Sequence, residues 1–436
     1  MNASTKTGVE RVAFVSTRIA GTDGVSLEIA KWAEVIERMG IECYYIAGES
    51  DRPDDRTYLI EEAHFNHPDI LDISRRSFEG ERRTPELTND ITKMSLMIRD
   101  KLRRAIDELD ADALIVENAL TIPMNLPLGM ALVAEIQEQE LPCMAHHHDF
   151  HWERERFLVN AVKDIVRYAF PPALPQIQHV VINSLAGEEF SRRTGLSCRI
   201  IPNVMDYANP PDPPDEYSRQ FRKEIGLGDD DLLILQPTRV VERKGIEFAI
   251  ELARRLAGDR AKLVITHASG DEGDAYAERI REFAELLDVD VIFANKWISD
   301  QRGTADDGRK LFTIHDTYPQ ADLVAYPSTY EGFGNAFLEA VYHKCPIVCN
   351  RYAIYRTDIE PVGMRPILFD GFPTDDTVDE IHKVLGDAEY RREMVELNYE
   401  IANEFFSYEV LEEELRLITQ RPHNIYRLLG RRKPVH

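Results

Sequence analysis

Short apolar runs alternate with amphipathic stretches along most of the chain. Val12–Thr17 predicts a strand, and the next apolar positions, Ile29, Trp32, Ile36 and Met39, recur at helical spacing before Gly40. Further strands are predicted at 41–47, 113–116, 142–145, 180–184, 232–236, 262–266, 291–294, 321–326 and 347–349. Strands that alternate with helices form parallel sheets covered by helices on both faces. The pattern therefore predicts an α/β protein with doubly wound domains.

A stiff polar segment interrupts this pattern near the middle of the chain. Residues 209–215 read Asn-Pro-Pro-Asp-Pro-Pro-Asp, a composition that breaks helices and strands. The 436 residues suffice for two large domains. We therefore predict one domain over 1–208, a second over 209–405, and a last helix and tail over 406–436.

Residues 51–90 are rich in charge and turn formers and show no clear period. This composition favours a solvated insertion, and the alternative is a lid over an acceptor site. A helix is predicted after it, at 91–109.

Composition excludes several classes of protein. The formal net charge of −25 argues against general binding of nucleic acid or anionic lipid. No apolar run reaches the roughly 18 residues of a membrane span, and residues 1–8 lack the apolar core of a signal peptide. Five scattered cysteines have no zinc-type spacing, so buried free thiols are expected. A cytoplasmic location is predicted.

The most informative stretch lies between a predicted strand at 321–326 and a predicted helix at 336–342. Gly332 and Gly334 stand in the turn between them. Glycines let the backbone turn sharply, and the free N–H groups at a helix N-terminus bind anions such as phosphate. This turn therefore predicts a phosphate site.

Two carboxylates flank that turn. Glu331 precedes the glycines, and Glu339 follows eight positions later, within the helix. A carboxylate is a poor phosphate ligand but a good acceptor for sugar hydroxyls. The implied ligand has a diphosphate in the middle and a sugar at each end, which describes a nucleotide sugar.

Two cations follow the strand predicted at 232–236. Arg239 and Lys244 lie in one loop, at the carboxyl end of that strand. Fixed positive charges there can stabilise the charge that grows on a leaving nucleoside diphosphate, which makes a metal ion unnecessary. The pattern favours a metal-independent diphosphate site.

Polar residues also end two strands of the first half. Glu117 and Asn118 follow one strand, and the next ends in His146, His147, His148 and Asp149. Such positions point into the ligand crevice of a parallel sheet, so Glu117 and Asn118 are acceptor-site candidates. Strand alternation places His146 and His148 on one face and His147 on the other, which disfavours a three-histidine zinc site.

The ordered set of motifs resembles family 4 retaining glycosyltransferases of the group 1 type. The set comprises the glycine loop, His-Asp, Pro-Asn-x-x-Asp at 202–206, Arg-x4-Lys and Glu-x7-Glu. The resemblance implies the GT-B architecture, in which two Rossmann-like domains face each other across a cleft and the C-terminal helix crosses back to the first domain.

The resemblance also implies roles for individual residues. Glu331 would contact the donor sugar and Glu339 the ribose, while Arg239 and Lys244 would hold the diphosphate. His148, with His147 as second choice, would reach the sugar at the acceptor side, and the His-Asp motif places His147 and Asp149 among the acceptor-binding residues. Donor-binding positions implied in addition are Gly21, Gly24, Asn295, Trp297, Gly332, Phe333, Gly334 and Asn335.

Asn335 departs from the apolar residue common in the family. Its amide either contacts a sugar hydroxyl or caps the helix, and both alternatives stay open at this point.

The implied activity is retaining transfer of glucose or mannose from a donor of the UDP-glucose or GDP-mannose type to a soluble small molecule. The relevant enzymes are those that make sucrose-, trehalose- and glucosylglycerate-type compatible solutes. No cofactor and no metal are expected, and the predicted partners are donor and acceptor, with a homodimer left open.

Several alternatives to this activity are left open. They are transfer in polysaccharide or glycolipid assembly, a nucleotide-sugar epimerase of the same fold, a pyridoxal-dependent phosphorylase-like enzyme and a non-catalytic sensor.

Overall fold

The structure is a computed structural model that describes residues 9–21, 23–80, 82–269 and 275–420. The chain divides into two compact units, one formed by Met1–Pro202 with the segment from Glu409, the other by Asn203–Tyr408. The borders between the units thus lie after residues 202 and 408, whereas the sequence predicted them after residues 208 and 405. The predicted basic tail at 421–436 lies outside the described residues.

The first unit is organised around a seven-stranded sheet, ordered β3-β2-β1-β4-β5-β6-β7, in which every pair is parallel. The order reverses between β1 and β4, and ligands of such sheets bind outside the carboxyl ends of the strands at this reversal. The strands are β1 (Arg11–Ser16), β2 (Glu42–Ala47), β3 (Thr57–Leu59), β4 (Ala113–Glu117), β5 (Cys143–His147), β6 (Ile177–Val181) and β7 (Cys198–Ile200).

Helices cover this sheet and bury their apolar stripes against it. They are α1 (Gly24–Arg38), α2 (Pro68–Phe78), α3 (Pro85–Leu109), α4 (Leu126–Glu138), α5 (Glu155–Leu158), α6 (Lys163–Ala169) and α7 (Ser184–Thr194). Trp32 of α1 is fully buried, as the helical spacing of its apolar residues predicts.

The expectation of a solvated insertion at 51–90 is wrong. Helix α2 and the first turn of α3 occupy much of it, and Ile70, Ile73 and Leu87 are buried in the core. The charged residues lie on the exposed sides of these helices, where Arg76 bonds Asp90 at 2.8 Å. Because one helix ends at Phe78 and the next begins only at Pro85, no single period extends over the segment.

Asn125 offers a test of how this unit is held together. It is buried, its Oδ1 accepts from the N–H of Leu128 at the start of α4, and its Nδ2 donates to the carbonyl oxygens of Glu62 and Ala63 at 2.8 and 3.0 Å. Asn125→Ala removes the cap and leaves buried carbonyls unpaired, so we expect a loss of about 2–4 kcal/mol in the free energy of unfolding, measured in urea.

The control for this variant is Thr84→Ala. Thr84 is exposed and caps α3 through a single bond to the N–H of Leu87 at 3.2 Å. Its loss should cost about 1 kcal/mol. Equal effects of the two substitutions would show that the Asn125 amide bonds contribute nothing beyond the cap.

The second unit repeats the same organisation. Its six-stranded sheet is ordered β10-β9-β8-β13-β14-β15, every pair is parallel, and the order reverses between β8 and β13. The strands are β8 (Leu232–Gln236), β9 (Ala261–Ile265), β10 (Val291–Phe293), β13 (Leu323–Tyr326), β14 (Ile347–Asn350) and β15 (Ile367–Phe369), while β11 (Gly303–Thr304) and β12 (Lys310–Leu311) form a small antiparallel pair.

The helices of this unit are α8 (Phe221–Glu224), α9 (Ile246–Arg255), α10 (Ala275–Leu286), α11 (Ile314–Thr317), α12 (Asn335–Tyr342), α13 (Asp375–Gly386) and α14 (Ala388–Phe405). The last helix, α15 (Tyr408–Gln420), begins at the border, and its residues from Glu409 belong to the first unit. The predicted strand, glycine turn and helix around 321–342 are confirmed by β13 and α12.

The cysteines and the helices bear on two predictions from composition, buried free thiols and the lack of a membrane span. All five cysteines lie among the described residues and are free thiols, four of them buried and Cys198 partly exposed. Among the helices that the structure describes, none is both long and apolar enough to cross a membrane.

Candidate active site

The loop after β8 carries the two predicted phosphate-binding cations in different environments. Arg239 is exposed, and no described residue forms a hydrogen bond or ion pair with its guanidinium. Lys244 ends a short 3-10 turn, Glu242–Lys244, and is only 8% exposed. Gly245 follows with φ +59°, and a Cβ there would stand 2.5 Å from the carbonyl oxygen of Pro327. The glycine thus lets this loop approach the loop after β13.

The loop after β13 carries the glycines and the first carboxylate of the motif. Its Thr329 N–H donates to the carbonyl oxygen of Arg243 at 2.8 Å, which joins the two loops. Gly334 takes φ +132° as the N-terminal cap of α12, a conformation that side chains rarely allow. Phe333 is buried against Phe406. The backbone at the start of α12 is therefore held in one conformation, as an anion site requires.

Glu331 joins the cations of the two loops. Its carboxylate is buried, accepts a short hydrogen bond from Lys244 Nζ, and bonds Arg243 Nη1 at 3.0 Å. Burial raises the pKa of Glu331, but the charges of Lys244 and Arg243 outweigh burial and leave the pKa below its ordinary value. Burial lowers the pKa of Lys244, and the charge of Glu331 opposes that shift. The predicted sugar ligand and phosphate ligand thus form one buried ion pair.

Glu339 lies in α12 beside other polar groups of this unit. Its Oε2 accepts from the Tyr318 hydroxyl at 2.8 Å. His267, which follows β9, lies near enough to feel the charges of Glu339, Lys244 and Arg239, although burial is the main reason that its pKa is lowered. Groups predicted from separate motifs therefore lie near one another at the carboxyl ends of β8 and β13, together with His267 after β9.

The structure excludes one of the two alternatives for Asn335, because this residue does not cap α12, while contact with a sugar hydroxyl stays a prediction. Gly334 is the cap of α12, and Asn335 is its first residue. The Asn335 Oδ1 atom accepts from Asn203 Nδ2 at 2.6 Å. The amide thus ties α12 to the segment that opens this unit.

The predicted base-binding loop is the 3-10 turn Asn295–Trp297 after β10. Asn295 is exposed, while the ring of Trp297 is partly covered by Lys296, whose Nζ is 4.2 Å from the ring centroid. The role of this turn stays a prediction.

In the first unit, Gly21 lies in the loop before α1, and Gly24 is the first residue of that helix. Gly21 has φ +75°, and its N–H donates to Asp51 Oδ2 at 2.8 Å. Asp23 caps α1 through bonds to the N–H groups of Val25 and Ser26. The carboxylates of Asp51 and Asp23 thus accept hydrogen bonds from N–H groups that would otherwise be free for phosphate.

The polar residues after β4 and β5 form two separate groups. The prediction that alternation separates His147 from its neighbours is confirmed, since its Nδ1 is 2.9 Å from Thr121 Oγ1 and its Nε2 is 2.8 Å from His179 Nδ1. Both ring nitrogens of His147 thus face protein groups. Burial lowers the pKa of His147 and lowers that of His179 to about 4, so both rings are neutral at pH 7.

The second group contains Glu117, His146 and His148. Glu117 Oε2 lies 3.0 Å from His146 Nδ1 and 3.0 Å from His148 Nε2. Burial raises the pKa of Glu117, but the two histidines reverse the shift and hold it at about 2. The carboxylate is therefore ionised at pH 7.

Asn118 and Asp149 frame His148. Asn118 takes φ +57°, and its Oδ1 accepts from the His148 N–H at 2.8 Å. Its Nδ2 donates to Asp149 Oδ1 at 3.2 Å, and Arg154 pairs with the other oxygen of Asp149. These bonds fix the backbone of the histidine segment just past β5.

The sequence patterns assigned no role to Arg243, His267 or Glu28. Arg243 lies next to the predicted Lys244, and His267 follows a predicted strand, so both had a positional signal. Glu28 of α1 had none, because a carboxylate in an amphipathic helix is usually solvated. It is fully buried.

Comparison with solved structures defines the class of fold. Sucrose-phosphate synthase from Thermosynechococcus elongatus matches with a TM-score of 0.64 at 15% identity, over 96% of this chain and 99% of that one. With two doubly wound parallel sheets, the match shows the GT-B fold and confirms the predicted class.

Sequence comparison gives the family. The profile described as Glycosyl transferases group 1 matches residues 232–387. Mannosylglucosylglycerate synthase of Petrotoga mobilis is 30% identical over 96% of both chains. The enzyme of the same name from Thermotoga maritima is 30% identical over 93% of this chain and 98% of its own. The chain belongs to the group 1 glycosyltransferases.

Proposed function

We propose that the protein transfers a mannosyl or glucosyl group from a nucleoside diphosphate sugar to a hydroxyl of a soluble small molecule, with retention at the anomeric carbon. The observation that carries this proposal is the joined pair of loops after β8 and β13. There the exposed Arg239, the Lys244–Glu331 pair and the start of α12 lie together. Cations and helix N–H groups suit a diphosphate, and carboxylates suit the sugar hydroxyls.

The names of two relatives support a particular choice of donor and acceptor. Two of them carry the name mannosylglucosylglycerate synthase and match this chain over nearly its whole length. We therefore favour a donor of the GDP-mannose type and an acceptor of the glucosylglycerate type, ahead of UDP-glucose and other soluble acceptors.

In the proposed reaction the bond between the anomeric carbon and the diphosphate oxygen breaks, and the acceptor oxygen bonds to the same face of that carbon. The acceptor proton goes to the leaving diphosphate. Arg239 and Lys244 stabilise the negative charge on the leaving group, so this step needs no divalent metal. Glu331 holds the sugar, Glu339 the ribose, and His148 orients the sugar at the acceptor side.

A thermal-shift panel tests the donor class. GDP, UDP and ADP are added with and without the attached hexose, first without metal and then with EDTA. We expect GDP and GDP-mannose to raise Tm, since a ligand at 100 times its Kd contributes about 2.7 kcal/mol, and we expect the shift to survive EDTA. Free mannose is the ligand control. If none of the diphosphates shifts Tm, the proposed donor site is wrong.

Product analysis then tests the transfer itself. The protein is incubated with GDP-mannose and glucosylglycerate, and the product is isolated and examined by NMR. The donor is α-linked, so retention predicts an α-linked mannoside, and a β-linked product would contradict the proposed stereochemistry.

A further inference from the structure

Three side chains of the first unit bring potential metal ligands together at the ends of β4 and β5. Glu117 is the last residue of β4, His146 lies in β5, and His148 follows β5 directly. One ligand atom from each lies within 4.8 Å of the others. Glu117 and His146 are buried, and the side chain of His148 is 11% exposed. The group is therefore shielded from bulk water and reachable from one side.

Two distances within this group suit a metal ion. Two ligands at right angles on an ion, each about 2.1 Å from it, stand about 3.0 Å apart. Glu117 Oε2 is 3.0 Å from His146 Nδ1 and 3.0 Å from His148 Nε2. Two histidines and one carboxylate on one face form a donor set that divalent transition metals accept, with the remaining positions open to oxygen ligands.

A buried carboxylate close to these three side chains, that of Glu28, also favours a cation at this place. Glu28 of α1 is fully buried, and one of its oxygens pairs with Lys31 at 2.7 Å. The other, Oε2, has no hydrogen-bond partner among the described residues. Glu28 lies near enough to His148 for its charge to act on that ring. An unpaired buried carboxylate oxygen is costly, and a nearby cation offsets that cost.

Packing holds the rings in place. Trp32, one helical turn after Glu28 in α1, stacks on His146 with ring centroids 4.2 Å apart. The Asn118 amide holds the backbone of His148. Ligands fixed in this way lose little conformational freedom when an ion binds.

We propose that Glu117, His146 and His148 bind one divalent transition-metal ion of the Mn²⁺, Co²⁺ or Zn²⁺ type. Its open positions would take water, or a hydroxyl or carboxylate oxygen of a small molecule. If Nε2 of His148 binds the metal, Nδ1 of the same ring is still available for a hydrogen bond to a ligand. The proposal does not rest on the proposed transferase activity, whose diphosphate ligands Arg239 and Lys244 belong to the second unit. Without metal, the same atoms form hydrogen bonds from two rings to one carboxylate.

The test is metal binding by a tag-free chain stripped with EDTA. CoCl₂ is titrated into the protein, and binding is followed by visible absorption and by elemental analysis after gel filtration. We expect one Co²⁺ per chain with a visible d–d band, and a higher Tm with Co²⁺ or Zn²⁺ than with EDTA. Glu117→Gln and His148→Ala should each weaken binding at least about 100-fold.

Matched variants separate this site from adventitious binding. His151→Gln removes a partly buried histidine just past the group and should leave the stoichiometry unchanged. Far-UV circular dichroism and Tm in EDTA show which variants fold. Because His148 is the most exposed of the three ligands, its substitution should disturb folding least. The proposal is overturned if the stripped wild-type chain binds no Co²⁺ at one equivalent, or if the folded His148→Ala variant binds it equally well. Neither result affects the GDP shift, which tests the proposed function.

Discussion

Arg239→Ala is expected to lower kcat/KM for transfer about 100- to 1,000-fold, because it removes a charge that we propose stabilises the leaving diphosphate. The fold should be unaffected. Arg239 is exposed and has no hydrogen-bond or ion-pair partner among the described residues, so its loss should change the free energy of unfolding by about 0.5 kcal/mol or less. Initial rates over a range of donor concentrations and a urea unfolding curve measure the two effects.

Two further variants make this result specific. Arg279→Ala removes an exposed arginine from α10 and should leave kcat/KM unchanged. Arg239→Lys keeps the charge but loses the two-pronged geometry of the guanidinium, so we expect an intermediate rate. A fully active Arg239→Ala protein would contradict the assignment of this loop to the diphosphate.

Glu331→Ala is expected to remove transfer activity and also to destabilise the protein by about 3–5 kcal/mol. The loss of stability follows from Lys244, whose ammonium is buried and would be left without its carboxylate partner. Arg243, the other partner of Glu331, is 35% exposed and stays hydrated. A fall in the urea midpoint of the unfolding transition would measure the effect.

A double variant separates stability from activity. Replacing both members of the buried pair, as Lys244→Met with Glu331→Leu, removes the unpaired charge and should restore most of the lost stability. Activity should stay absent, because the proposed sugar and phosphate ligands are both gone. Glu242→Ala, at an exposed carboxylate of the same loop, serves as control and should be close to neutral. If the double variant is no more stable than Glu331→Ala, burial of the Lys244 charge is not the cause.

Much of the second unit could be predicted because its signals are local. The strand, glycine turn and helix around Glu331 lie within about twenty consecutive residues, and the period of the apolar positions changes from strand to helix across the turn. Arg239 and Lys244 follow a predicted strand directly. Since parallel strands bring their carboxyl ends to one edge of the sheet, placing these residues after strands also placed them near one another.

Other features depend on residues that are distant in the chain. The pairing of Lys244 with Glu331 joins positions 87 residues apart, and the predicted roles treated them as separate ligands. The helical parts of 51–90 escaped detection because α2 has only 11 residues, α3 contributes only its first residues to the segment, and the exposed faces of both are dense in charge. Asn335 could not be assigned from its sequence position, since its partner Asn203 lies 132 residues away.

The sequence by itself determined the α/β class, the order of the motifs and the residues expected to hold a nucleotide sugar, because periodicity and spacing are properties of short segments. Only the tertiary structure decided which side chains share a buried environment. It placed Glu117 between the rings of His146 and His148, and it brought His179 against His147. It also buried Glu28 beside them. Burial and side-chain neighbours depend on how the strands and helices pack, so they determine the charge state of these groups in a way that no local pattern specifies.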